Sequence, residues 1–132
     1  MNFEPMSEEE DRIGKAVVDS VFKVHKSLGP GLLETVYESC FCHQLSKRGM
    51  SIRRQVPVPV PIEYDGLTFD EGFRLDVLVE DLVICELKAV VEMHPVYKAQ
   101  ILSYLRMSGK RLGFLINFNV PLFKAGVQRV VL

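Results

Sequence analysis

A chain of 132 residues, 48% of them hydrophobic, is long enough for one domain with a real core and too short for two comfortable ones. The net charge of -1 gives no general attraction to a phosphate backbone, yet residues 1 to 11 hold five acids (Glu4, Glu8, Glu9, Glu10, Asp11) and no base, leaving 16 bases against 12 acids, a balance of +4, in the rest. Nucleic acid is permitted without being demanded; no apolar run approaches the roughly 18 residues of a membrane span, and the acidic start is unlike a secretory signal, so a soluble cytoplasmic chain with no membrane partner is expected.

Ser7 followed by Glu10 is a capping-box pattern, and Ile13, Ala16, Val17, Val21, Val24 and Leu28 form an amphipathic stripe, so the spacing predicts a first helix over about 8 to 28. Residues 1 to 7 before it are expected to be flexible. Gly29-Pro30-Gly31 breaks that helix, lacking the lysine and length of a phosphate loop, and a second helix is expected from near Leu32 to Gly49. Cys40, Cys42 and His43 cluster there, but residues two apart on a helix point in different directions, so reduced core thiols, Cys85 included, are the reading rather than a zinc site. From Ser51 to Lys88 the pattern changes to period two, a meander of three strands. Residues 55 to 62 alternate Val with Pro, which only an edge strand or an extended arm tolerates. Asp65-Gly66 is a turn, and residues 68 to 79 and 83 to 89 make the next two strands, joined at Glu80-Asp81-Leu82. Pro95 suits a first helical turn, and Val96, Ala99, Leu102 and Leu105 predict a third helix that stops at Ser108-Gly109. Residues 112 to 118 read as a buried central strand and 127 to 132 as a last short one. The order helix, helix, three strands, helix, two strands predicts one α/β domain over residues 1 to 132, a mixed sheet flanked by helices.

Charged residues interrupt otherwise apolar strands at Asp76, Glu86 and Lys88, which is costly in a buried sheet. Strand parity decides whether they meet. With a three-residue connection at 80 to 82, Val79 faces Val83 and Asp76 faces Glu86; a two-residue turn would put them on opposite faces. Opposed side chains have Cβ atoms about 5 Å apart, and Mg2+ takes oxygen at about 2.1 Å, so one carboxylate from each strand could reach one ion. Lys88 falls on the same face as Glu86. Such a set suits phosphodiester hydrolysis, in which Mg2+ or Mn2+ absorbs phosphate charge and lowers the pKa of an attacking water. Lys88 would position or deprotonate that water, or stabilise the developing negative charge. The bland alternative is a cross-strand cluster of exposed charges.

With these residues the sequence resembles the PD-(D/E)XK nuclease superfamily, whose core motif is an acid on one strand and an acid-x-Lys triplet on the next. More narrowly it is similar to the GxxExxY family, through Gly31-Leu-Leu-Glu34-Thr-Val-Tyr37. The similarity extends over most of the chain, including Gly29-Pro30-Gly31, Arg54-Gln55, the run from Phe73 to Lys88, and Leu115-Ile-Asn-Phe118. Leu75 stands where the superfamily's name has proline. The resemblance implies a restriction-endonuclease-like core, Glu34, Asp76 and Glu86 as metal ligands, Lys88 as the catalytic lysine, and a Gln-x-x-x-Tyr element at Gln100 and Tyr104. Helical spacing places Gln100 and Tyr104 on one face, where Gln100 could orient Lys88 or a phosphate and Tyr104 could contact the backbone of DNA or RNA. Each has a plainer reading: Glu34 as an acid favoured by a helix dipole, Tyr37 as core, and Gln100 and Tyr104 as the polar shoulder of a helix. His25, His43 and His94 lie at no catalytic or ligand spacing.

The competing functions are a metal-dependent nuclease, a nuclease-fold nucleic-acid-binding or protein-assembly module with little turnover, and a hydrolase of another phosphate ester. So small a nuclease would use a homodimer or a partner to reach both strands.

Overall fold

The computed structural model describes residues 5–58, 62–69 and 72–132; residues 1 to 4 of the stretch expected to be flexible, and 59 to 61 of the Val-Pro run, lie outside them. Helix α1 (Glu8–Leu28) starts at the capping box: Ser7 Oγ accepts from Glu10 N–H at 3.1 Å and Glu10 Oε1 accepts from Ser7 N–H at 3.0 Å. Of its stripe, Ile13, Ala16, Val17, Val21 and Val24 are buried as the spacing required, whereas Leu28, at the helix end, is exposed. Gly29 and Gly31, at φ 66 and 98, turn the chain into α2 (Glu34–Lys47). That helix begins at Glu34 rather than near Leu32, because the buried Tyr37 hydroxyl donates to Gly29 O at 2.6 Å and accepts from Leu32 N–H at 3.0 Å, holding those residues in the turn.

Among the described residues the strands are β1 (Ile52–Val58), β2 (Ile62–Tyr64), β3 (Leu67–Phe69), β4 (Phe73–Val79), β5 (Val83–Lys88), β6 (Leu112–Asn117) and β7 (Val127–Val131). Five form one sheet in the order β1-β4-β5-β6-β7, antiparallel except for the β5–β6 pair, with the Val-Pro strand β1 at an edge. The run expected as one strand over 68 to 79 is divided. Its first part pairs across Asp65-Gly66 in a separate β2–β3 hairpin whose residues 63 to 68 are exposed, so no core face draws it into the sheet. Residues 70 and 71, within that run, lie outside the described residues.

Helix α3 (Pro95–Ser108) crosses between β5 and β6, and a short helix α4 (Phe123–Gly126), absent from the sequence reading, precedes β7. Helices cover both faces. Val77, Val83, Cys85, Leu87, Phe114 and Ile116 pack with α1 and α2 in one cluster; Leu75, Leu78 and Ile84 pack with α3 in a second. Helix α3 buries Ile101 and Leu105, whereas Val96 and Ala99 of the expected stripe are exposed and Leu102 is half-buried. Gly113 allows a close contact there: a Cβ would lie 2.9 Å from Ile101 Cδ1, so a larger residue would force the Ile101 side chain to shift. The result is a restriction-endonuclease-like α/β layer arrangement around a mixed sheet.

Candidate active site

The β4–β5 ladder runs from Val79↔Val83 through Leu78↔Ile84 to Val77↔Cys85 and then stops. Its connection is the three-residue one, with Glu80 and Asp81 at φ 52 and 55 and Leu82 N–H donating to Val79 O at 3.0 Å. The next opposed positions are Asp76 and Glu86. Here side chains take over from backbone carbonyls: Glu86 Oε1 accepts from Asp76 N–H at 3.2 Å, and Asp76 Oδ2 accepts from Leu87 N–H at 2.9 Å. Each carboxylate is thereby oriented by one oxygen, with the other left free of a backbone donor.

Strand β5 continues beside β6 as far as Lys88↔Asn117, so Glu86 and Lys88 stand on a strand supported from one side while β4 peels away on the other. Lys88 Nζ lies 4.4 Å from the centre of the Tyr97 ring, a cation–π geometry. Asn117, buried in β6, accepts from Val90 N–H at 3.1 Å and donates to Val90 O at 3.0 Å, which fixes the chain just beyond the lysine.

Burial and the Asp76 charge push the Glu86 carboxyl, 7% exposed, up to about 9, against the pull of Asp76 N–H and Lys88. Glu34, the first residue of α2, is raised above the usual range by partial desolvation and by Asp76, with Lys88 opposing. Tyr104 on α3 is raised by burial and then by Glu86 and Asp76, and its ring stacks on Phe73 at 4.4 Å. Asp76, Glu86 and Lys88 from the sheet, Glu34 from α2 and Tyr104 from α3 thus stand within electrostatic reach of one another, as one candidate site.

Two expectations are looser. Gln100 is exposed on α3 and hydrogen-bonds to none of the other site residues. Among the described residues no three His, Cys, Asp or Glu side chains stand close enough to enclose an ion, so Glu34 feels the Asp76 charge without completing a three-acid cluster. The donor set nevertheless suits a hard cation: two adjacent carboxyl groups that share a site, with a third acid, Glu34, within electrostatic reach.

Sequence reasoning missed Tyr97, Asn117 and a buried Glu38 bonded to Arg54 and Gln55. Only Asn117, a polar residue inside an apolar strand, carried a signal. The cysteines are free; burial raises the Cys42 thiol to about 11 and Cys85 well above the usual thiol range, as inert core thiols require. His94 Nδ1 accepts from Val96 N–H and caps α3, and His25 Nε2 lies 2.6 Å from Val120 O. An apolar hollow of about 600 Å³ beside α1, lined by Phe22, Phe114 and Phe123 among others, includes none of the cleft residues.

A family model described as the PD-(D/E)XK nuclease superfamily matches residues 11–130, nearly the whole chain. No curated protein and no solved structure gives a significant match.

Proposed function

Because the chain belongs to the PD-(D/E)XK nuclease superfamily, we propose that it hydrolyses phosphodiester bonds of DNA or RNA with Mg2+ or Mn2+ held by Asp76 and Glu86 and approached from α2 by Glu34. The observation that supports this most is the meeting of two carboxylates where the β4–β5 ladder ends, with Lys88 one pleat further along β5. The narrower GxxExxY placement draws support from Gly31 in its turn, Glu34 opening α2 and Tyr37 locking the turn behind it.

When bound, the cation supplies a Lewis acid for the phosphate and a lowered pKa for the attacking water. Asp76 and Glu86 act as ligands oriented by the backbone amides of Leu87 and Asp76. Lys88 brings positive charge to the same edge, to hold the water or to balance charge on the phosphate. The Tyr104 hydroxyl contacts the nucleic-acid backbone, and Gln100, one turn earlier, reaches the cleft only as substrate fills it.

A nuclease-fold binding module is the second reading, favoured by the open arrangement of the three acids. Purified protein incubated with single- and double-stranded DNA and RNA, in Mn2+ or in chelator, separates the two. Cleavage in Mn2+ that drops by about 10³-fold or more in Glu86→Gln and in Lys88→Ala is expected. Cleavage that survives both substitutions would sink the nuclease assignment. Mn2+ binding that is lost in Asp76→Ala, with no substrate cut by the unmutated protein, would favour the module.

A further inference from the structure

Glu38 is a buried charge, 7% exposed, one helical turn beyond Glu34 on α2. Both its oxygens are engaged from β1: Oε2 accepts from Arg54 Nε at 3.0 Å and Nη2 at 2.8 Å, and Oε1 accepts from Gln55 Nε2 at 2.8 Å. Two consecutive residues of a strand thus reach one carboxylate, which regular alternation of side chains forbids.

The backbone explains it. Gln55 has φ 52; the other described non-glycine residues with positive φ, Asp65, Glu80 and Asp81, all lie in turns. A residue with a Cβ enters that region only when its surroundings hold it there. Strand β1 pairs with β4 at Arg54↔Val77 and Val56↔Leu75 but drops out at Gln55, the position opposite Asp76. Packing reverses at the same point. Ile52, Val77 and Val79 join the cluster beneath α1 and α2, whereas Val56, Val58, Leu75 and Phe73 join the one beneath α3. The β1–β4 ribbon turns over at Gln55 and Asp76, where β4 parts from β5.

We infer that Gln55 is a positioning residue for the acid pair. Its left-handed backbone turns the ribbon so that Asp76 leaves the ladder toward Glu86, and its amide, with Arg54, pins Glu38 and so holds the Glu34 turn of α2 over the cleft. The inference rests on the nuclease reading for the use of the cleft, but the placement of Asp76 can be measured in metal-free protein. The Asp76 and Leu87 amides, each bonded to the partner acid, report it directly.

Amide hydrogen exchange followed by NMR in chelator, on the full chain, is the test, with Gln55→Val removing both turn and amide and Gln55→Gly keeping the turn alone. Exchange at Asp76 and Leu87, relative to Leu78 and Ile84 in the same hairpin, is expected to quicken about tenfold or more in Gln55→Val and about threefold in Gln55→Gly. Relative changes below about twofold in both variants, or equal quickening at all four amides, would overturn the inference, because a residue that only stabilises the fold acts on all of them together. Should Gln55→Val fail to fold, the glycine variant decides by the same twofold limit. A Mn2+ titration on the same samples keeps the two readings apart. Selective quickening in a protein whose unmutated form binds no Mn2+ would uphold the role of Gln55 while removing the metal-dependent function.

Discussion

The two halves of the β4–β5 hairpin share a backbone and differ in chemistry. Near the turn, Val79↔Val83, Leu78↔Ile84 and Val77↔Cys85 pair residues that are 3% exposed or less, with helices over both faces. Beyond Val77 two carboxyl side chains replace the ladder, one of them buried enough that it holds a proton to about 9. The first half lowers the free energy of folding by burying apolar surface. The second half raises it by crowding acids, an arrangement a sheet has no packing reason to keep and a cation-binding cleft does.

That contrast can be broken from either side. The largest effect on stability belongs to the apolar half: Ile84→Ala, at a fully buried position, is expected to cost about 2–5 kcal/mol and to lower the thermal midpoint on the order of 10 °C, read by circular dichroism. A midpoint within about 2 °C of the unmutated protein would mean that the hairpin core is not what holds the sheet.

The acid half is expected to respond with the opposite sign. Glu86→Gln keeps the shape and removes the ionisation that favours the unfolded chain, so in chelator at neutral pH it should stabilise the protein by about 1–3 kcal/mol while abolishing cleavage. Folded Glu86 keeps its proton to about 9, whereas the unfolded carboxyl releases it near 4.5, so between those values the folded state binds more protons and stability falls as pH rises. Gln removes that slope, and urea titrations of both proteins across the window measure it. Equal slopes would show that Glu86 is not desolvated as the fold implies.

Much of the acid half was legible because side chains in a strand alternate with a period of two. With residues 80 to 82 as the connection, Asp76 and Glu86 must oppose each other and Lys88 must follow on the same face as Glu86. Glu34 was legible as a position at a helix start, though not its distance from the acids, which depends on how Tyr37 ties down the turn at Gly29. Gln55 stood out only as part of the Arg54-Gln55 segment of the family resemblance, and what it does was illegible. Its role lies in a positive φ that no local residue type announces, inside a Val-Pro run that reads as an edge arm. The division of residues 68 to 79 was hidden for a similar reason, since an exposed hairpin and a sheet strand share the same β-branched composition. On α3, the apolar residues at 96, 99, 102 and 105 form a helical stripe, but the helix turns Ile101 to the sheet and leaves the side bearing Tyr97 toward Lys88.

Tyr97 therefore offers the smallest and most selective way to sharpen the comparison. Its ring face sits 4.4 Å from Lys88 Nζ, its other ring contact is an edge-on one to His94 at 6.3 Å, and it adds nothing to either apolar cluster, so its removal should leave folding almost untouched and act chiefly on the lysine. A cation–π contact at a partly exposed site is worth about 0.5–1 kcal/mol, or roughly a two- to fivefold change in a rate that depends on where the lysine points. Tyr97→Leu is expected to slow single-turnover cleavage by that factor with an unchanged thermal midpoint, whereas Tyr97→Phe, which keeps the ring face, should stay close to the unmutated rate. Equal losses in both would assign the effect to the hydroxyl rather than the ring, and equal retention would mean that Lys88 is held by its strand and by the Asn117 clamp behind it.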